Sequence, residues 1–216
     1  MSSETPPDET PALSEAEGEL VWVKNHLDHT DADQAVLGRR RVRLLQQMRR
    51  PLPLSEKERA DTRVIELRPF NSGADDEGFL RVNNRAFAWH PDQGGWGIER
   101  LHAQTEAAGF DPKMLLIHQD QSGAIDGFCW TKIHPETDTD PALGEIYVIA
   151  VDPDTYGTGL GRALTVGGLN LLSMCGVSLG MLYVEADNQA AISLYERLGF
   201  EVHHRESAYR LVDSSP

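Results

Sequence analysis

The stretch that most restricts the fold lies at residues 143–164, LGEIYVIAVDPDTYGTGLGRAL. A run of apolar and β-branched residues ends at Pro153, and a glycine-rich turn and an amphipathic segment follow. This pattern predicts a buried strand, a tight turn and a helix in direct succession. Because a helix start offers free N–H groups and the positive end of the helix dipole, the segment also predicts a site for a pyrophosphate.

The glycine spacing excludes two common phosphate-binding motifs. Gly157, Gly159 and Gly161 form G-x-G-x-G, whereas the dinucleotide motif is G-x-G-x-x-G after the first strand of its fold. A nucleoside-triphosphate loop needs G-K-[ST], which does not follow here. The site therefore belongs to another class of phosphate-binding fold.

A second informative stretch, YVEADNQAAISLYERLGF, covers residues 183–200. Asn188 can cap a helix over 188–198, and Gly199 is suited to the left-handed residue that ends it. The spacing of Ile192, Tyr195 and Leu198 predicts a buried helix face.

The remaining periodicities complete a layered α/β domain. We expect a strand at 64–70, helices at 75–88, 98–109 and 159–175, a hairpin of 113–120 with 123–134, a strand at 180–186, and two final strands within 201–212. Strands interleaved with helices favour a sheet covered by helices.

Composition narrows the possible partners. The net charge of −14 argues against nucleic acid and anionic membranes, and is compatible with a cationic substrate. No apolar run reaches the roughly 20 residues of a membrane span, and the first residues do not resemble a secretory signal. With two cysteines, Cys129 and Cys175, in apolar surroundings, we expect a reduced cytoplasmic protein with two buried thiols. The scattered histidines predict no metal site.

The chain contains the trace of an internal repeat. A shift of 161 positions places Val23 on Val184, Leu37-Gly38 on Leu198-Gly199 and Arg49 on Arg210 without a gap. Residues 18–54 thus resemble the last strand, helix and strand of a degenerate earlier copy. We divide the chain into a disordered acidic tail (1–17), this remnant (18–54), a linker (55–63) and a main domain (64–212).

The remnant is too short to bury a core of its own. It therefore packs on the main domain, pairs with a second chain, or is mobile. Sequence alone leaves these three arrangements open, together with the choice between a monomer and a weak homodimer.

The two motif stretches resemble the GCN5-related N-acetyltransferase (GNAT) superfamily. Its signature is a strand followed by P-x-x-x-G-x-G-x-G and a helix, and then N-x-x-A-x-x-x-Y-x-x-x-G-F. Three further stretches, at 81–96, 128–135 and 144–153, are similar to the mycothiol synthase family. The resemblance implies a mixed, mostly antiparallel sheet with helices on both faces. It also implies acetyl-CoA as co-substrate, no metal, and a small-molecule amine as acceptor: the cysteinyl amine of desacetylmycothiol, a cysteinyl-glucosaminyl-inositol.

The resemblance also implies roles for individual residues. Glu145 corresponds to the general base and Tyr195 to the general acid. Contacts to the acceptor fall on Asp92, Lys132, Glu145 and Tyr183. Contacts to coenzyme A fall on Ile149, Ala150, Val151, Tyr156, Gly157, Thr158, Gly159, Leu160, Gly161, Arg162, Asn188, Gln189, Ala190, Ala191, Ile192 and Ser193. Tyr156 departs from the family pattern, which has Gln or Arg there, and this puts one phosphate contact in doubt.

These roles agree with elementary chemistry. An ammonium must lose a proton before it attacks a thioester, which a strand carboxylate can accept, and a departing thiolate needs a proton that a tyrosine can donate. Alternation along the strand predicts that Glu145, Tyr147 and Ile149 share one face. A free N–H near Ile149 can polarise the thioester carbonyl where the strand leaves its neighbour.

Structural explanations stand beside the catalytic ones. Glu145 and Lys132 could be surface charges of strands, Tyr195 a core aromatic, and Trp89 and Trp96 either core residues or part of the acceptor cleft. For the whole chain, two alternatives to a mycothiol-forming enzyme stay open. It could acetylate another small amine or a protein N-terminus, or it could be a truncated acetyl-CoA-binding protein without catalytic activity.

Overall fold

The computed structural model describes residues 20–90 and 93–212, so the predicted acidic tail and Asp92 lie outside the described residues. The strands are β1 (Val21–Lys24), β2 (Arg39–Pro51), β3 (Arg68–Pro69), β4 (Leu115–Gln119), β5 (Ile125–His134), β6 (Leu143–Val151), β7 (Leu179–Glu185) and β8 (Glu201–Leu211). The helices are α1 (Thr30–Val36), α2 (Glu56–Ala60), α3 (Asp76–Ala86), α4 (Ile98–Thr105), α5 (Leu160–Met174) and α6 (Gln189–Arg197).

All eight described strands belong to one sheet, in the order β1-β8-β2-β7-β6-β5-β4-β3. Every neighbouring pair is antiparallel except β6 and β7, which are parallel. This arrangement confirms the predicted mixed, mostly antiparallel α/β sheet. Among the described helices, none is long and apolar enough to cross a membrane.

A separate core fills each face of the sheet. On one face α5 and α6 pack Leu164, Leu169 and Leu198 against strand residues such as Ile146 and Leu182. On the other face α3 and α4 contribute an aromatic core; its main members are Phe79, Trp96, Leu101, Phe128 and Trp130. The two faces therefore have different helices and different chemistry. Trp96 is a core residue, whereas Trp89 is exposed.

Two predicted strands differ from the structure. Only Arg68 and Pro69 of the predicted strand 64–70 pair in the sheet, because the preceding segment lies over α5, with Leu67 against Gly167. The two final strands predicted within 201–212 are one continuous strand, β8, since no turn residue interrupts the segment. The neighbouring position that a second strand would take is filled by β2.

The prediction of two buried thiols was wrong for one of them. Cys129 is buried on β5, and Cys175 is exposed. Cys175 is the cap residue that follows α5 and directly precedes Gly176, so it lies past the last buried turn of the helix.

Strand β2 joins the N-terminal residues to the main sheet. It lies between β7 and β8 and pairs with both over most of its 13 residues. The sequence leaves three arrangements open for residues 18–54. The structure shows the first of them: the described part of this segment packs on the main domain. That these residues descend from a second copy of the domain stays a prediction.

The pairing register agrees with the repeat offset of 161. Val21 pairs with Tyr209, and Leu182, which is 161 positions after Val21, pairs with Met48, which is 161 positions before Tyr209. The other three β1–β8 pairs correspond to β7–β2 pairs in the same way. At the centre, Leu45 pairs with Glu206, its own counterpart. The strands β1, β8, β2 and β7 thus form a block with approximate two-fold symmetry.

Strand β2 is rich in arginine although it is internal to the sheet, and each of four arginines pairs with an acid from a different part of the chain. The pairs are Arg41–Asp31, Arg43–Glu185, Arg49–Asp140 and Arg50–Glu58, with N–O distances of 2.5–2.8 Å. The partners lie on α1, β7, the β5–β6 loop and α2. For the buried members, such as Arg50, these pairs offset part of the cost of placing a guanidinium group inside a sheet.

The Arg50 pair connects the predicted linker to the core. The Arg50 side chain is 5% exposed, and its guanidinium donates to Glu58 of α2 and to the carbonyl of Leu198. Ser55 and Glu58 also form a capping box at the start of α2. Burial alone would raise the pKa of Glu58, but hydrogen bonds from Arg50 and Ser55 lower it to about 2.

We predict that Glu58→Gln lowers the free energy of unfolding at pH 7 by about 1–3 kcal/mol, because a buried cation loses its charged partner. The lowered pKa means that the wild-type contribution is complete above the usual carboxyl pKa and is lost as pH falls towards about 2. Denaturant unfolding at several pH values should therefore show the difference between the proteins shrinking below pH 4.5. Glu56→Gln, on the same helix, is the control and should match wild type. Equal stability of the Glu58 variant at pH 7 would contradict the anchoring role.

Candidate active site

The site is built around a gap between two parallel strands. Pairing of β6 with β7 ends at Ile146 and Leu182, although β6 continues to Val151 and β7 to Glu185. Beyond this point β6 keeps its other neighbour, β5, up to Val151. The sheet therefore opens at its centre, and the edge of β6 that faces the gap has no strand partner there.

A β-bulge lies beside this gap. Trp130 pairs with Val148 and Thr131 with Ile146, so Tyr147 is an extra residue on β6. Bulges reverse the alternation of side chains, which alters which residues share a face. Tyr147 packs with the α3–α4 core and Ile149 with the α5–α6 core. The expectation that Glu145, Tyr147 and Ile149 share one face was therefore wrong for Ile149.

Glu145 is buried on the α3–α4 side of the sheet, with 8% of the residue exposed. Its Oε2 lies 2.8 Å from Nε2 of His134, the last residue of β5. Its Oε1 has no hydrogen-bond partner among the described residues. A carboxylate with one oxygen held and the other available can accept a proton from a bound ligand.

Tyr195 lies on α6 and packs within the core on the other face. Although the residue is buried, its hydroxyl has no hydrogen-bond partner in the part of the chain that the structure describes. Burial raises the pKa of Tyr195, and the nearby Cys129, whose own pKa burial raises to about 12, adds to this effect. Because buried tyrosine hydroxyls usually have a partner, this one is suited to contact a ligand.

Glu145 and Tyr195 therefore approach the gap from opposite faces of the sheet. The strand residues packed with Tyr195, such as Ile146 and Leu182, point to the face opposite to that of Glu145. The gap therefore has a carboxylate on one side of the sheet and a phenol on the other. Glu145 and Tyr195 do not have to contact each other for this arrangement.

Of the other predicted acceptor contacts, Lys132 and Tyr183 lie near Glu145 on the same face. Nζ of Lys132, opposite Glu145 on β5, lies 3.4 Å from the ring centre of Tyr147. The hydroxyl of Tyr183 accepts a hydrogen bond from Gln47 (2.7 Å) and donates one to Glu206 (3.3 Å). Burial, and then the charge of Glu206, raises the pKa of Tyr183.

The glycine-rich turn has the geometry of an anion cradle. Gly157 and Gly159 have φ angles of +79° and +81°, which residues other than glycine rarely adopt. Ala163 donates the first hydrogen bond of α5, to Gly159, so the N–H groups of Leu160, Gly161 and Arg162 have no acceptor within the helix. The side chain of Leu160 is buried in the core, so only its backbone can serve a ligand.

The prediction assigned a coenzyme contact to Arg162, but the two arginine side chains near this turn, Arg162 and Arg63, are placed differently. The guanidinium of Arg162 bonds to Thr62 Oγ1 and to the Glu58 carbonyl, both at 3.0 Å, so its side chain holds the segment after α2. The neighbouring Arg63 lies over the turn instead, with Nη1 3.4 Å from the carbonyl oxygen of Thr158. Tyr156, at 62% exposure, projects from the turn. Among the described residues Arg63 forms no ion pair with a carboxylate.

The start of α6 lies next to the gap. Asn188 Oδ1 accepts the N–H of Ala191 at 3.1 Å, as the capping pattern predicted. Gln189 bonds to the Ala186 carbonyl, and Ile192 is buried in the core. Of the predicted coenzyme contacts on β6 and α6, Ala150 and Ile192 can offer only backbone atoms. The contacts assigned to Ile149–Val151, Tyr156–Arg162 and Asn188–Ser193 stay predictions.

Sequence reasoning missed His134, Gln47, Glu206 and Arg63. His134 has a recognisable signal, since it stands two residues after Lys132 and so shares its face of β5. Gln47 and Glu206 come from strands whose partners cannot be read from local sequence. No cluster of three or more potential metal ligands occurs within residues 20–90 and 93–212.

Known proteins resemble the chain over most of its length. A mycothiol acetyltransferase of Acidimicrobium ferrooxidans is 45% identical over 190 residues, which cover 87% of this chain and 60% of that protein. One from Segniliparus rotundus is 42% identical over 205 residues, covering 92% and 76%. The chain thus spans about three fifths of the length of the first of these relatives.

The fold comparison gives the same family. A GCN5-related N-acetyltransferase from Sphaerobacter thermophilus superposes with a TM-score of 0.66 and 26% identity, covering 88% of this chain and 58% of that one. The model of the acetyltransferase (GNAT) family matches residues 81–200, which include the glycine-rich turn, Glu145 and Tyr195. The chain therefore belongs to the acetyltransferase (GNAT) family.

Proposed function

We propose that this protein is an N-acetyltransferase that moves an acetyl group from acetyl-CoA to a small-molecule amine. The observation that carries the proposal is the central gap, with Glu145 on one side of the sheet and, on the other, a Tyr195 hydroxyl that has no hydrogen-bond partner among residues 20–90 and 93–212. The similarity to mycothiol acetyltransferases supports the cysteinyl amine of desacetylmycothiol as the acceptor and mycothiol as the product.

The residues present fit acetyl-CoA. Gly157 to Arg162 would offer backbone N–H groups to its pyrophosphate, and the segment Asn188–Ser193 and the β6 edge at Ile149–Val151 would hold its pantetheine arm. When bound, acetyl-CoA supplies an acetyl group activated as a thioester. Coenzyme and acceptor would enter from opposite faces of the sheet, so both would be bound together and the acetyl group would move directly from one to the other.

The side chains divide the proton transfers between them. Glu145 takes a proton from the acceptor ammonium, directly or through a water, and the freed nitrogen attacks the thioester carbon. Backbone N–H groups of β6 near Ile149 polarise the carbonyl oxygen. As the C–S bond breaks, Tyr195 gives its proton to the departing thiolate, and the second proton released by the attacking nitrogen restores the phenol, directly or through water. Its raised pKa keeps the phenol protonated at neutral pH, as a proton donor requires.

The decisive experiment measures thiol release from acetyl-CoA with the cysteinyl-glucosaminyl-inositol and with a panel of simpler amines and peptide N-termini. Preferential release with the conjugate is the expected result. Equal or faster release with another amine would assign a different acceptor. Binding of acetyl-CoA without release for any acceptor would contradict catalysis by this chain.

We predict that Glu145→Gln lowers kcat by about 10²–10⁴-fold, the usual range for loss of a general base. Binding of acetyl-CoA, measured by calorimetry, should stay unchanged because Glu145 lies on the acceptor face. Glu136→Gln, an exposed carboxylate in the β5–β6 loop, is the control and should retain full activity. A Glu145 variant as active as wild type would exclude the base assignment.

We predict that Tyr195→Phe lowers kcat by about 10²-fold or more while leaving the melting temperature nearly unchanged. The hydroxyl has no partner in the described protein, so its removal breaks no internal hydrogen bond. Activity and thermal unfolding measured on the same preparation test this. A loss of stability with full activity would instead make Tyr195 a structural residue.

We predict that Arg63→Ala weakens binding of acetyl-CoA by about fivefold, the effect of an exposed charge contact worth about 1 kcal/mol. Acetyl-pantetheine, which has no pyrophosphate, should bind both proteins equally. Arg59→Ala, on the neighbouring helix α2, is the matched control. Equal weakening for both ligands would argue that Arg63 stabilises the turn rather than contacting phosphate.

A further inference from the structure

We propose that His134 is a positioning residue for Glu145. It holds one carboxylate oxygen through its Nε2–H, so that the other oxygen is available to the acceptor ammonium. This inference rests on the proposed function, because it assumes that Glu145 is the base.

The strand register brings the two side chains together. Lys132 pairs with Glu145 and His134 pairs with Leu143, so His134 is a diagonal neighbour of Glu145 on the same face. Side chains in diagonal positions across antiparallel strands can meet when they are long. Here Nε2 of His134 lies 2.8 Å from Oε2 of Glu145, which is hydrogen-bond distance.

Chemistry fixes the direction of this hydrogen bond. An ionised carboxylate can only accept, so Nε2 of His134 must carry a proton in the contact. In the neutral ring, Nδ1 is then the unprotonated nitrogen. Among the described residues only His134 holds this carboxylate by a hydrogen bond, which leaves Oε1 for the ligand.

The exposure of the pair fits a positioning role. The side chain of Glu145 is 10% exposed and that of His134 is 43% exposed. The ring thus covers one side of a buried carboxylate while its own far edge reaches solvent. A half-exposed residue at the end of a strand contributes little to the core, so its replacement should alter the site without unfolding the protein.

Three replacements of His134 distinguish the effect of its hydrogen bond from the effect of its ring. The amide nitrogen of Gln lies close to the position of histidine Nε2, whereas that of Asn lies close to Nδ1. His134→Gln should therefore keep kcat within about threefold of wild type, since it retains the donor. His134→Leu and His134→Asn should each lower kcat by about tenfold, which corresponds to about 1.4 kcal/mol in the barrier. The Kd for acetyl-CoA should not change in any of them.

A double variant connects the effect to Glu145. If His134 acts through Glu145, His134→Leu should have no further effect on the residual rate of Glu145→Gln. Full activity of Glu145→Gln would overturn the proposed base itself. A strongly impaired Glu145→Gln with a fully active His134→Leu would overturn only the positioning role, so the two failures can be told apart. A His134→Gln variant as impaired as His134→Leu would also overturn it.

A spectroscopic measurement tests the contact without any turnover. In ¹⁵N NMR spectra of the wild-type protein, we expect the His134 ring to carry its proton on Nε2 when neutral. In Glu145→Leu the share of this tautomer should fall to that of a free histidine side chain, because the acceptor is removed. A neutral ring protonated on Nδ1 in the wild-type protein would overturn the proposal whatever the activity.

Discussion

The parting of β6 from β7 after Ile146 and Leu182 is the constraint on which the candidate site depends. Two parallel strands that stay paired would leave no path between the faces of the sheet. Because they separate while β6 still pairs with β5, the backbone of β6 remains rigid along the gap. The bulge at Tyr147 lies at this position and directs Tyr147 and Ile149 to different cores. The site is therefore held by strands, which position side chains more rigidly than loops do.

The N-terminal residues contribute to this site from a distance in sequence. Strand β2 supplies Gln47, which bonds to Tyr183, and Arg49, which bonds to both Gln47 and Asp140. Tyr183 in turn bonds to Glu206 of β8. The face of the sheet that carries Glu145 thus includes a polar network that crosses β2, β7 and β8. Residues 18–54, which the internal repeat predicts to be a remnant of an earlier domain copy, thus contribute polar side chains to the face of the sheet that carries Glu145.

Much of the main domain could be predicted because its signals are local. Asn188 and Gly199 bound α6, the glycines mark the turn before α5, and the hairpin of β4 and β5 follows from alternation and a short turn. The bulge at Tyr147 has no such signal, since neither glycine nor proline marks it. The insertion of β2 could not be predicted either, because its strand partners β7 and β8 follow it by more than 120 residues and no local pattern specifies them. The spacing from Lys132 could have placed His134 on the same face of β5, but its contact with Glu145 required the register of β5 on β6.

The position of β2 has a consequence for how the chain is made. Its partner strands β7 and β8 follow it by more than 120 residues, so a growing chain carries an unpaired, arginine-rich strand through most of its synthesis. The sheet can close only when Leu211 at the end of β8 has left the ribosome, since β1 and β2 both pair with that last strand. Long-range pairing of this kind makes folding slow. Until β7 and β8 are made, the positive charges of β2 would repel the same strand of other chains and so protect its unpaired edges from aggregation.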